Sequence, residues 1–221
     1  MPVTNAQSGT RIDEIAPSTY RISTPVPPNP ALPGGFTFNQ FLIVDDEPLL
    51  FHTGMRGLFP LVRDAVASVM PVEKLRWISF GHFEADECGS LVEWFAAAPN
   101  ALAVCGQLGA MLSVEDFGGR APRVLADGAT MEIGKKRVRW HDTPHLPHGW
   151  DAGVLAETTT RTLFCGDLFT QPGDKVAPVT EGDILGPSEA MRSAMPYYSN
   201  PRAAAAQIER LSTAGNPSKE G

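Results

Sequence analysis

The sequence predicts an α+β fold in which sheets are layered inside flanking helices. Three observations predict it. Short apolar strands alternate with segments of helical period in both halves of the chain, which suits a layered sandwich. Twenty prolines and 21 glycines fall between the apolar runs, so the connections are many and turn-rich. The 221 residues, 43% of them apolar and 19% charged, suffice for one large domain with a substantial core.

Residues 1–16 read as a loose N-terminal tail, and the domain is placed at 17–211. Thr19 to Thr24 is a first strand, followed by a proline-rich loop from Pro25 to Gly35. Phe36 to Val44 alternates as a strand, Asp45-Asp46-Glu47 turns, and Pro48 to His52 is the hairpin partner. Leu58, Leu61, Val62, Ala65, Val66 and Val69 recur at helical spacing, with Pro60 tolerated in the first turn. A strand from Leu75 to Phe80 ends at Gly81. A helix over Cys88–Ala98, a strand over Ala101–Cys105 and a helix over Gln107–Phe117 follow. The second half has strands at Arg137–Asp142, Gly153–Thr158 and Arg161–Cys165, then helices near Pro187–Met195 and Pro201–Leu211. Residues 212–221 are polar and read as a frayed tail.

Net charge is −7 and no segment concentrates Lys and Arg, which argues against nucleic acid as a partner. The N-terminus lacks a basic and an apolar signal region, and no run has the roughly 18 apolar residues of a spanning helix, so neither secretion nor a membrane is expected. Cys88, Cys105 and Cys165 are scattered and odd in number, which suits a reducing compartment. Together these features predict a cytoplasmic protein. Cys105 and Cys165 read as small buried apolar residues.

Three segments carry chemistry. In an extended His82-Phe83-Glu84-Ala85-Asp86, side chains alternate, so His82, Glu84 and Asp86 share one side just past a strand end. Three of the five histidines, His141, His145 and His148, lie within eight residues around the turn-forming Pro144 and Pro147, which a plain surface explains poorly. Thr162 to Asp167 is an apolar strand running into Gly166-Asp167. Alone, Asp167 is a turn former; beside the other two segments it reads as a ligand. Two imidazoles with carboxylates resemble the donor set that leaves open positions on iron for O2, with zinc or manganese as alternatives.

The order strand, H-x-E-x-D, T-P-H, strand, G-D resembles the metallo-β-lactamase superfamily, and within it the oxygen-binding diiron branch, the metal domain of flavodiiron proteins. Hydrolases of the superfamily usually carry H-x-H-x-D-H, whereas this chain has Glu84 at the second histidine's place. The resemblance covers most of residues 17–211 and implies a four-layer αββα sandwich. It also implies one or two iron ions. His82, Glu84 and His145 would bind the first, Asp167 would bridge, and Asp86 would bind the second.

Two departures stand out. Glu87 occupies the place of the branch's next histidine ligand, and no histidine follows His148, where the family has one near the C-terminus. The chain stops at Asn216–Gly221, about where that histidine's strand would begin. A carboxylate-rich second site would hold Fe(II) or Mn(II) less tightly. His148 and His52, the latter standing where many superfamily members carry Asp, are further candidates, as ligands or as hydrogen-bond donors behind them. His141 reads as structural, Trp94, Trp140 and Trp150 as core or pocket wall, and Tyr197 and Tyr198 as core, with a lid as the alternative.

The resemblance implies a non-haem iron protein that binds O2 or NO and reduces or senses it. No bound flavin is expected, so electrons would come from a separate donor. Family members pair head to tail, which makes a homodimer the implied assembly. A metal-dependent hydrolase and a non-enzymatic sensor are the competing readings.

Overall fold

The computed structural model describes residues 3–214. Among the described residues twelve strands form two sheets. The first, eight-stranded, runs in chain order through β1 (Val3–Asn5), β2 (Thr10–Ala16), β3 (Thr19–Val26), β4 (Phe36–Ile43), β5 (Leu49–Phe51), β6 (Trp77–Ser79), β7 (Leu102–Cys105) and β8 (Arg123–Val124). The second has the order β12 (Thr162–Phe164), β11 (Gly153–Glu157), β10 (Arg137–Asp142), β9 (Thr130–Glu132) and is antiparallel throughout. In the first sheet β1–β5 pair antiparallel, and β5–β8 continue in parallel.

Three apolar clusters separate four layers. Strand alternation sends Leu50, Ile78 and Ala103 to one face, where they meet Val62, Ala65 and Val66 of α1 (Phe59–Ala67) and Leu91, Trp94 and Phe95 of α3 (Leu91–Ala97). The neighbouring residues Leu49, Phe51, Trp77 and Val104 face the other way, onto Val138, Trp140, Leu155 and Phe164 of the second sheet. On that sheet's far side Val154 packs with Leu146, Leu168 and Leu211, the last from α7 (Ala204–Ala214). The order helix, sheet, sheet, helix is the αββα sandwich that the resemblance implied.

The proline at the start of α1 lacks only a hydrogen bond that the first turn could not use. A short α2 (Ala85–Cys88) precedes α3. The helix read over Gln107–Phe117 is α4 (Gln107–Gly109) and α5 (Glu115–Gly118), joined by a π turn over Ala110–Val114. The last two helices are α6 (Leu185–Ala194) and α7. Arg210 of α7 pairs with Asp127 at 3.0 Å and donates to the Asp142 carbonyl, which fixes α7 on the second sheet.

Two boundaries differ from expectation. Residues read as a loose N-terminal tail supply β1 and β2. Their polarity hid them: Asp13, 1% exposed, is paired with Arg11 at 3.1 Å, and Arg11 also donates to the Val176 carbonyl. At the other end, Ser212–Ala214 continue α7, and the rest of the expected frayed tail, 215–221, lies outside the described residues. Trp94 and Trp140 are core as expected, whereas Trp150 is 61% exposed on a turn.

One backbone contact ties the sheets to the site. Gly153 on β11 donates its N–H to the Gly81 carbonyl at 2.8 Å, immediately before His82. A Cβ at Gly153 would lie 2.1 Å from Trp140 Cζ2, and Trp140 is 1% exposed. Gly153→Ala is therefore expected to cost about 1–3 kcal/mol through overpacking, read as a lower urea midpoint with an unchanged slope.

Candidate metal centre

The site lies at the carboxyl ends of β5, β6, β10 and β12, where the two sheets meet and strand ends deliver side chains to one place. Beyond β6 the chain leaves the strand at Gly81. His82 points inward, 5% exposed, and Glu84 is extended and exposed just before α2. Asp151 accepts the Phe83 N–H at 2.9 Å and pins this loop to the one after β10.

Four side chains converge. His82 Nε2 lies 2.7 Å from Glu84 Oε2, His148 Nε2 lies 3.0 Å from that same oxygen, and Asp167 Oδ2 is 3.6 Å from His148 Nε2. One donor atom from each of His82, Glu84, His148 and Asp167 falls within 4.8 Å of every other. The two imidazoles meet edge to face, with centroids 4.5 Å apart and planes at 84°.

The histidine brought here is His148, not His145. His145 sits in the preceding turn with φ +64°, exposed, its N–H bonded to the Gly149 carbonyl at 2.8 Å. The turn buries Leu146 instead, whose carbonyl accepts the Thr143 hydroxyl at 2.9 Å. Gly149 (φ +85°) marks the close approach, since a Cβ there would meet His82 Cβ at 3.2 Å. A glycine directly after His148 permits that approach, a feature whose meaning appears only once the fold brings it against His82.

Both imidazoles are oriented from behind. His148 Nδ1 is 3.1 Å from the Tyr197 carbonyl, which can only accept, so Nδ1 carries a proton and Nε2 faces the carboxylates. Behind His82, Glu87 Oε2 accepts its backbone N–H at 2.7 Å and Oε1 stands 3.4 Å from Nδ1. Glu87 also pairs with His52 Nε2 at 3.2 Å. His52 itself closes β5 with φ +65° and stacks on Phe51 at 4.3 Å.

Asp86 stands in α2, outside the four-residue cluster, because the helix begins before it and breaks the extended alternation expected of H-x-E-x-D. Asp86, Glu87, His52 and Asp167 form one wall of a cavity of about 490 Å³, whose other walls include Phe38 and Phe169. Tyr198 packs in the core and donates to the Leu168 carbonyl at 2.6 Å, while Tyr197 lies edge-on to His148, 6.2 Å between centroids. Cys88 and Cys105 are buried; Cys165 is half-buried. His141 is buried on β10.

The donor chemistry fits a cation. A lone pair on His148 Nε2 facing Glu84 and Asp167 is repulsive unless a proton or a metal lies between them. Two imidazoles and two carboxylates are the set that suits Fe(II), with open positions left over. A carboxylate behind a ligating imidazole is likewise the usual support of a metal-bound histidine.

Without metal, the cluster holds protons. At His82, burial favours the neutral ring but is outweighed by Glu87, Asp167 and Glu84, and its pKa is pushed up to about 10. Burial, with Glu87 and Asp86 nearby, pushes the Asp167 carboxyl up to about 6. A raised folded pKa at His82 gives stability that is complete below its ordinary 6.5 and lost as pH rises to about 10. Chelated protein is therefore expected to show a urea midpoint that falls across that window. Loading Fe(II) there is expected to release protons, measurable by dye titration in weak buffer; a flat profile with no proton release would contradict it.

The fold is that of a metallo-β-lactamase-type protein, with a cluster at its sheet ends that could hold a metal ion. Residues 36–211 match the family described as ODP family beta lactamase, and the chain belongs to that family, the metal domain of flavodiiron proteins. It is 27% identical over 171 residues to the rubredoxin-oxygen oxidoreductase of Megalodesulfovibrio gigas, covering 76% of this chain and 42% of that protein. It is 26% identical over 175 residues to the nitric oxide reductase of Moorella thermoacetica, covering 75% and 41%. The chain thus spans less than half the length of these curated relatives. The solved rubredoxin oxygen:oxidoreductase from Desulfovibrio gigas superposes with a TM-score of 0.81 at 22% identity, over 93% of this chain and 54% of that one, a likeness of fold. Among the described residues no helix is long and apolar enough to cross a membrane.

Proposed function

We propose that this chain is an iron-binding core that binds and reduces O2 or NO with electrons from a separate donor. The carrying observation is the convergence of His82, Glu84, His148 and Asp167 at the sheet ends of an ODP-family chain. The relatives' names, an oxygen oxidoreductase and a nitric oxide reductase, give the reaction class.

Bound iron would supply the redox chemistry and an open position for a diatomic gas. The chain's own residues do the rest. Glu87 and the Tyr197 carbonyl hold the two imidazoles in the orientation that directs Nε2 into the cluster. Glu84 and Asp167 place negative charge opposite, and Glu84 opens to solvent. The cavity, walled in part by Phe38 and Phe169, leads to Asp167, and an uncharged, weakly polar gas enters such a space at little desolvation cost.

The test is anaerobic loading of the purified chain with Fe(II), followed by O2 or NO and reduced rubredoxin as electron donor. Multiple turnovers are expected. Gas binding without consumption would make the chain a sensor, and a zinc-loaded protein that hydrolyses thioesters would make it a hydrolase; either result overturns the reductase reading.

A further inference from the structure

We infer that this chain holds one metal ion, because Glu87 and His52, buried and paired with each other, are withdrawn from the second position that its family resemblance implies. The inference rests on the metal reading of the cluster and adds its nuclearity.

A second ion would need Asp86, residue 87 and a share of Asp167. In this fold Glu87 is turned away from that role. It is 1% exposed; Oε2 is hydrogen-bonded, and Oε1 makes no hydrogen bond but stands in ion-pair contact with two imidazoles. Oε2 accepts the His82 N–H at 2.7 Å; Oε1 stands 3.2 Å from His52 Nε2 and 3.4 Å from His82 Nδ1. Two glycines make the room in which the carboxylate sits. A Cβ at Gly81 would lie 3.0 Å from Oε2, and one at Gly166 would lie 2.9 Å from Oε1. Swinging Glu87 out to a metal would strand a buried backbone N–H and leave His52 facing nothing.

The remaining imidazole nitrogens near the site are also allotted. His148 has Nδ1 on the Tyr197 carbonyl and Nε2 in the first cluster, and His52 Nε2, which makes no hydrogen bond, stands in ion-pair contact with Glu87 Oε1 at 3.2 Å. Among the described residues the second position is left with Asp86 and a shared Asp167, two carboxylates with no nitrogen donor. Two carboxylates without an imidazole bind Fe(II) far more weakly than the four-donor neighbour, and such an ion is lost on desalting.

The pair is also reversed. The resemblance calls for imidazole at position 87 and, in many members of the superfamily, carboxylate at position 52. This chain has the carboxylate at 87 and the imidazole at 52. The reversal keeps one acid and one base in the buried space while exchanging a ligand for a support. Glu87 becomes a positioning residue for His82.

The test counts metal. The purified full chain is loaded anaerobically with excess Fe(II), desalted and analysed for iron per chain, alongside the double variant Glu87→His with His52→Asp. About one iron in the wild type and about two in the double variant are expected. About two in the wild type overturns the inference while leaving the metal reading intact. None in the wild type removes the metal reading and the inference with it. One iron in both proteins, with the variant folded by circular dichroism, shows that the pair is not what closes the position. If the double variant does not fold, the wild-type count decides, and the nitrosyl spectrum checks it: an isolated paramagnetic iron–nitrosyl is expected, and a spin-coupled pair would overturn the inference.

Discussion

Glu87→Ala is expected to lower the unfolding free energy of the metal-free protein by about 3–5 kcal/mol, among the largest single-residue losses in the molecule. The size follows from what the carboxylate serves. It is buried at 1% exposure and takes the His82 N–H at 2.7 Å while facing both the His52 and His82 rings. Burial would raise its pKa, but His52 and His82 outweigh it and hold the group well below the ordinary carboxylate range. A lowered acid pKa contributes stability above the ordinary value of 4.5 that is lost as pH falls below it. The difference between wild type and Glu87→Ala should therefore shrink as the urea midpoint is followed below about pH 4.5. A loss under about 1 kcal/mol at pH 6 would show that the pair is not holding the loop.

The second large effect is on metal affinity. His82→Ala is expected to weaken Fe(II) binding by more than about a hundred-fold, since replacing even an outer partner of a ligand commonly costs 10–100-fold. His82 faces Glu84 Oε2 at 2.7 Å and sits edge-on to His148, so its removal takes out a donor and one wall of the site. Glu84→Ala offers the contrast. Glu84 is exposed and contacts only the two imidazoles, so its removal should weaken binding while costing the metal-free protein clearly less than Glu87→Ala does. Competition against a chromophoric chelator reads both affinities. An unchanged affinity in His82→Ala would exclude this residue as a ligand.

Much of the architecture was legible because burial imposed its period on the chain. Arg137–Asp142 alternates between faces as read, and the hairpin through Asp45-Asp46-Glu47 pairs Ile43 with Leu49. The strands that escaped notice are those whose inward positions are polar or whose length is too short to show a period. Thr10–Ala16 hides Asp13 behind Arg11, and Arg123–Val124 is two residues long. Of the residues singled out in the sequence, His82, Glu84 and Asp167 do come together in one cluster. Which histidine of Pro144-His145-Leu146-Pro147-His148 turns inward was not, because that depends on Leu146 anchoring in the core and on Gly149 packing against His82. The role of Glu87 was equally hidden: a carboxylate beside H-x-E-x-D reads as a ligand until its distances to His52 and His82 are known.

The central claim is that the cluster is a metal site completed by His148, and a matched pair of variants tests it most directly. His148→Ala and His145→Ala remove the same group three residues apart, one in the cluster and one exposed on the turn. Iron per chain after anaerobic Fe(II) loading and desalting is the measurement. His148→Ala should retain almost no iron and His145→Ala should match the wild type. Retention of iron by His148→Ala together with its loss from His145→Ala would contradict the assignment.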